Sequence, residues 1–144
     1  MPQQFATAKD VSEHLLQRSG DALMSGDFDT FLSCFLLPQE LRTFDGTREV
    51  ATPEDVREVF DGVRAHFQAN HVTDMVRQCV DAQFRTPDEV AATHVSRLLS
   101  GTTLLYEPYP VFSILKRSQG FWQVAHSEYA MSENDQHAKV LKGK

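Results

Sequence analysis

Gly26-Asp27-Phe28-Asp29 ends one helix and begins another. Gly26 can take the left-handed conformation that terminates a helix, and Asp27 then caps a second, short helix. Upstream, the pattern predicts a helix from Ala8 to Ser25. Thr7 with Asp10 three residues later makes a capping-box-like start, and Ala8, Val11, Leu15, Ser19 and Ala22 fall at helical spacing, with Leu16 and Leu23 widening the stripe. Gly20 sits inside this helix and weakens it by about 1 kcal/mol relative to Ala. Downstream, Phe28, Phe31, Leu32 and Phe35 share one face of the short helix, and Pro38 is expected to stop it.

Further along, Leu41-Arg42-Thr43-Phe44, Asp45-Gly46 and the stretch from Thr47 to Val50 read as a hairpin, because Asp-Gly suits a tight turn. A third helix follows. Thr52 caps it, Pro53 fits the first turn, Asp55 completes the box, and Val56, Val59, Phe60, Val63 and Phe67 form its apolar stripe. From Val72 the period changes, and segments near 72–85, 88–100, 109–118 and 121–131 are strand-like. Thr86-Pro87-Asp88 and Ser118-Gln119-Gly120 are turn sequences, so neighbouring strands should run antiparallel. Helices followed by a strand meander indicate an α+β fold. One domain over residues 1–131 is expected, with a polar tail over 132–144.

The composition narrows the function classes. Net charge is −6 and no Lys/Arg-rich run occurs, which disfavours a nucleic-acid or anionic-membrane surface. Ten Phe in 144 residues point to an aromatic core or an apolar pocket. Cys34 and Cys79 form no CxxC pair, so two reduced thiols in a cytoplasmic protein are expected. Met1-Pro2-Gln3-Gln4 has no basic region followed by an apolar run, so no signal peptide is expected. The histidines at 14, 66, 71, 94, 126 and 137 are dispersed, without HxH or HExxH, and neither a metal nor a cofactor is expected. No phosphate-binding Gly-rich loop or GxSxG elbow is present.

The long first helix ending in Gly26-Asp27-Phe28-Asp29, the Phe31/Phe35 helix, the Asp45-Gly46 turn, the capped helix from Pro53 and the strand Gly120-Phe121-Trp122-Gln123-Val124-Ala125-His126 together resemble the nuclear transport factor 2-like superfamily, SnoaL-like group. The resemblance spans roughly Ala6 to Met131. It implies a cone-shaped, curved antiparallel sheet packed against three helices of the N-terminal half. A homodimer through the sheet face is also expected, because one broad face must be covered. The superfamily includes isomerases, cyclases, dehydratases, epoxide hydrolases and non-catalytic binding or assembly modules, so fold does not fix chemistry. Counting from Gly26 brings Thr43 to the position of the carboxylate base in ketosteroid isomerase-like members, and Asp45 reaches it only with a shift of two. Epoxide hydrolase-like members need an Asp-x-Arg arrangement, whereas Arg97 is flanked at two residues by Val95 and Leu99. Both departures count against those activities.

Candidate site residues come from strand parity. On a regular last strand, Trp122 and Val124 face the core, so His126 and Glu128 would point into the mouth of the cone. A His beside a carboxylate in an apolar hollow could serve as general acid or base; if the strand twists out, both are solvated. In the strand 88–100, Val90, Ala92, His94, Ser96 and Leu98 share one face and Ala91, Thr93, Val95, Arg97 and Leu99 the other. Both are mixed. His94 inward would give the cavity a central polar group, and Arg97 inward would favour a carboxylate ligand. Tyr109 could donate to a ligand carbonyl or pack at the rim with Tyr106. The expected function is a SnoaL-like domain of undefined activity that binds a small apolar or aromatic ligand, with Tyr109, His94, Arg97, Trp122, His126 and Glu128 as candidate contacts. The alternatives are a proton-transfer enzyme using His126 or Glu128, and a non-catalytic assembly module.

Overall fold

The computed structural model describes residues 5–43 and 46–130. Helix α1 covers Ala8–Ser25, with the Thr7 side chain accepting from the Asp10 N–H and Gly26 closing it at φ +83°. Helix α2 is Phe28–Ser33, capped by Asp27. It ends before Pro38, because the backbone beyond Ser33 is engaged elsewhere: Leu36 N–H donates to Val124 O, and Cys34 O accepts from Val124 N–H, both at 2.8 Å. Helix α3 is Pro53–Ala69, with a complete Thr52/Asp55 capping box and the expected buried stripe of Val56, Val59, Phe60, Val63 and Phe67.

The strands are β1 (Gln39–Thr43), β2 (Gly46–Val50), β3 (Asp74–Thr86), β4 (Glu89–Ser100), β5 (Thr103–Leu104), β6 (Tyr109–Ser118) and β7 (Phe121–Tyr129). They form one curved, unclosed sheet in the order β2-β1-β7-β6-β4-β3, with β5 added to the end of β4. All pairings are antiparallel except β1 with β7. That exception has a local cause. The Cys34–Leu36 segment already runs parallel to β7 through the Phe35–Val124 bridge, and β1 continues in the same direction to pair Leu41 with Ser127. Thr43 and Gly46 are paired across the β1–β2 hairpin; Asp45 of the expected turn and the polar tail lie outside the described residues.

Two irregularities set which side chains face the helices. The β6–β7 register shifts between Ile114, opposite His126, and Leu115, opposite Val124, which leaves Ala125 as the extra residue of a β-bulge. The bulge falls where β7 exchanges one neighbour, Cys34–Leu36, for another, β1. A second shift between Cys79 and Asp81 leaves Val80 unpaired in β3. Helices α1 and α3 cover the concave face, where Leu23, Phe31, Phe60, Val63, Leu98 and Val111 belong to one cluster. Val11, Leu15, Val90, Leu115 and Trp122 belong to another, nearer the β3–β4 and β6–β7 turns.

Candidate functional site

Between the concave face and the helices lies a cavity of about 120 Å³. Its helix-side wall is largely apolar, with Leu15, Leu23, Val59, Val63 and Phe67 beside Ser12 and Ser19, and Phe31 and Phe35 also line it. The sheet-side wall carries polar groups in sequence across adjacent strands: Arg77 from β3, His94 and Ser96 from β4, Tyr109 and Ser113 from β6, Ser127 and Tyr129 from β7. Cross-strand register explains the grouping. Arg77 pairs with Ser96, Ser96 with Tyr109, and Ser113 with Ser127.

Electrostatically the wall holds one charge among neutral groups. His94 is 8% exposed; burial, and then the positive charge of Arg77, push its pKa down to about 3, so its imidazole is neutral at physiological pH. Burial raises the Tyr109 and Tyr129 phenols above their usual range, keeping both as O–H groups. Burial also pushes Arg77 below the ordinary arginine value, but a guanidinium stays protonated. Its Nη2 donates to Leu16 O at 2.6 Å and to Ser19 Oγ at 2.9 Å on α1. Gly20 makes that approach possible, since a Cβ there would stand 2.9 Å from Nη2. Among the described residues no Asp or Glu lines the cavity, and no three His, Cys, Asp or Glu side chains converge to hold a metal.

The structure brings His94 and Tyr109 onto this wall and places the other expected contacts elsewhere. His126 and Glu128 are on the opposite face of the sheet. The strand is not regular: the extra residue Ala125 shifts the alternation, so Ser127 and Tyr129 turn inward and His126 and Glu128 outward. There His126 Nε2 and Glu128 Oε2 are 3.1 Å apart, and Arg42 approaches Glu128 at 3.9 Å. Arg97 falls on the outer face with the odd-numbered residues of β4, opposite Val76. Trp122 points inward but is packed at the far end of the sheet, against Phe84 and beneath the Arg117 guanidinium at 5.5 Å. Tyr106 stacks on His66 of α3 rather than facing the cavity.

The same architecture occurs in solved structures. A domain of unknown function with a cystatin-like fold from Nostoc punctiforme superposes with a TM-score of 0.68 at 12% identity, over 91% of this chain and 82% of that one. A ketosteroid isomerase-like protein from Erwinia carotovora atroseptica gives 0.60 at 15%, over 88% and 97%. The hexachlorocyclohexane dehydrochlorinase LinA-type3 from Novosphingobium barchaimii gives 0.59 at 15%, over 85% of each chain. The chain has the nuclear transport factor 2-like, cystatin-like fold. No family model and no curated protein matches the sequence.

Within this nuclear transport factor 2-like cone, Arg77 is the charged group of the cavity wall that strand reading missed. The alternation of β3 is mixed on both faces, with Met75, Arg77 and Cys79 against Val76, Gln78 and Val80. The available signal was Gly20: a glycine inside an amphipathic helix marks close approach by another group. Chemically, among the described residues the wall offers hydrogen-bond donors and a cation but no carboxylate to take up a proton.

Proposed function

We propose that the chain is a SnoaL-like domain that binds a small, largely apolar ligand in the cone cavity. The cavity itself carries this reading. Its volume, about 120 Å³, approaches the ~150 Å³ engineered cavity known to admit benzene. An apolar enclosure with a few convergent polar groups is the usual form of a ligand site. The likeness to an isomerase-like protein and a dehydrochlorinase supports the fold alone. A proton-transfer enzyme based on His126 or Glu128 lacks support, because neither group reaches the cavity. Calorimetric or NMR titration with toluene should show saturable binding, lost in Ala92→Phe, which fills the wall from β4. Absence of binding of toluene, benzamide and benzoate alike by the folded wild-type protein would remove the proposal.

We also propose a homodimer through the outer sheet face, where Val76 and Phe112 are 44% and 36% exposed and Val95 and Ile114 lie on the same side. Uncovered apolar surface of this kind favours self-association. A cytoplasmic location belongs to the same reading, supported by Cys34 and Cys79, both free and buried. No helix of the described residues is long and apolar enough to cross a membrane.

A further inference from the structure

Arg77 is partly buried beneath α1, against which its guanidinium is held. Its Nη2 is used by Leu16 O and Ser19 Oγ, and its Nε and Nη1 have no acceptor among the described residues. The ionisable groups around it on the wall, His94, Tyr109 and Tyr129, are neutral at physiological pH. Asp21, on the exposed side of α1, acts on it only from beyond ion-pair distance. The cavity therefore carries one positive charge with no internal counter-ion. A charge so placed is costly unless paired.

We propose that the cavity's ligand is a small carboxylate, its anionic end beside the Arg77 guanidinium and its apolar body against the helix-side wall. The inference rests on the reading of the cavity as a binding site and names its ligand class. Both paired edges of a guanidinium include Nη2, which α1 occupies, so a carboxylate would take a single charge-assisted N–H···O bond from Nη1 or Nε rather than a fork. Phosphate would also meet the charge, but it has no apolar body to cover the Leu15, Val63 and Phe67 side of the cavity. A benzoate-sized acid suits the volume of about 120 Å³. Fixing the guanidinium through Nη2 on α1 also pre-orients its remaining N–H groups, which reduces the ordering cost of binding.

The test is calorimetric or NMR titration at pH 7 in low-chloride buffer with benzoate, benzamide, toluene and inorganic phosphate. Benzoate and benzamide differ little in shape but one carries the charge. The expected result is benzoate bound at least about tenfold more tightly than benzamide, with the preference abolished in Arg77→Met while toluene still binds. The comparison of benzoate with benzamide on the wild-type protein needs no variant, so it decides the matter even where Arg77→Met fails to fold. Equal affinity for benzoate and benzamide overturns the carboxylate assignment and leaves the cavity as a neutral-ligand site. Phosphate binding more tightly than benzoate overturns it as well. If none of the three organic probes binds, the binding-site reading falls and takes this inference with it.

Discussion

His94 should make the stability of this protein depend steeply on pH below neutrality. In the fold its pKa is about 3, against 6.5 for the free side chain. The direction follows from proton uptake. As pH falls through 6.5 the unfolded chain binds a proton at His94 and the native state does not, so the contribution is fully present above 6.5 and is lost progressively toward pH 3. At about 1.4 kcal/mol for each unit, the loss between pH 7.5 and 4.5 is about 3 kcal/mol. His14 and His66, also lowered by burial, act in the same direction, as do the caps Asp27 and Asp55, lowered chiefly by hydrogen bonds from Thr30 and from the Ala51 and Thr52 backbone. These groups are common to a His94→Gln variant and cancel in a comparison. Urea unfolding of both proteins from pH 7.5 to 4.5 should show the wild type losing about 3 kcal/mol more than the variant. Parallel stability curves, or an imidazole that titrates near 6.5 by NMR, would refute the argument. Replacing Arg77 by Met should raise the His94 pKa, because the guanidinium is the second cause of its depression.

Gly20→Ala tests the docking of Arg77 on α1. Helix propensity alone would stabilise by about 1 kcal/mol, but the new methyl meets Nη2 at 2.9 Å and displaces the bond to Leu16 O. No net stabilisation in thermal unfolding is expected, whereas Gly20→Ala on an Arg77→Met background should recover the gain; the full gain in the wild type would show that the guanidinium is not held there. Phe112→Asp tests the dimer: the wild type should sediment as a dimer at micromolar concentration, and burying a carboxylate in the interface should weaken association by tenfold or more. A wild-type monomer under those conditions would count against the assembly.

Local signals carried the architecture, and long-range ones were needed for the site. Thr7, Asp27, Thr52 and Gly26 act through hydrogen bonds and backbone conformation within a few residues, so helix ends could be read directly. The strand segments were legible because the turns at Thr86-Pro87-Asp88 and Ser118-Gln119-Gly120 bound them. Facing was another matter. The alternation on β7 holds from Trp122 to Val124 and then meets Ala125, a residue with nothing in its side chain to announce a bulge. The cause lies about ninety residues away, in the Cys34–Leu36 backbone and in the Gln39 amide, which donates to Val124 O at 2.9 Å. On β4 both faces are mixed, and only the covering by α1 decides that His94 and Ser96 face inward while Arg97 does not. Arg77 escaped notice for a related reason: its role depends on a gap made by a glycine in another element.

Two unfavourable features of the fold coincide. A void of about 120 Å³, at about 24 cal/mol per Å³, costs on the order of 3 kcal/mol relative to a filled core. A partly buried guanidinium without an anion adds a further desolvation cost. Stability of a domain is about 5–15 kcal/mol in total, so the void alone is a sizeable fraction of it. Either could be removed by ordinary substitutions, a larger side chain at Ala92 or an aliphatic one at position 77. Separately, each is a defect that a fold can tolerate. Their placement on one wall argues against that, because a single occupant with an apolar body and an anionic end would offset both. Void and charge are thus complementary halves of one ligand description, and the benzoate–benzamide comparison measures the half that the void alone does not specify.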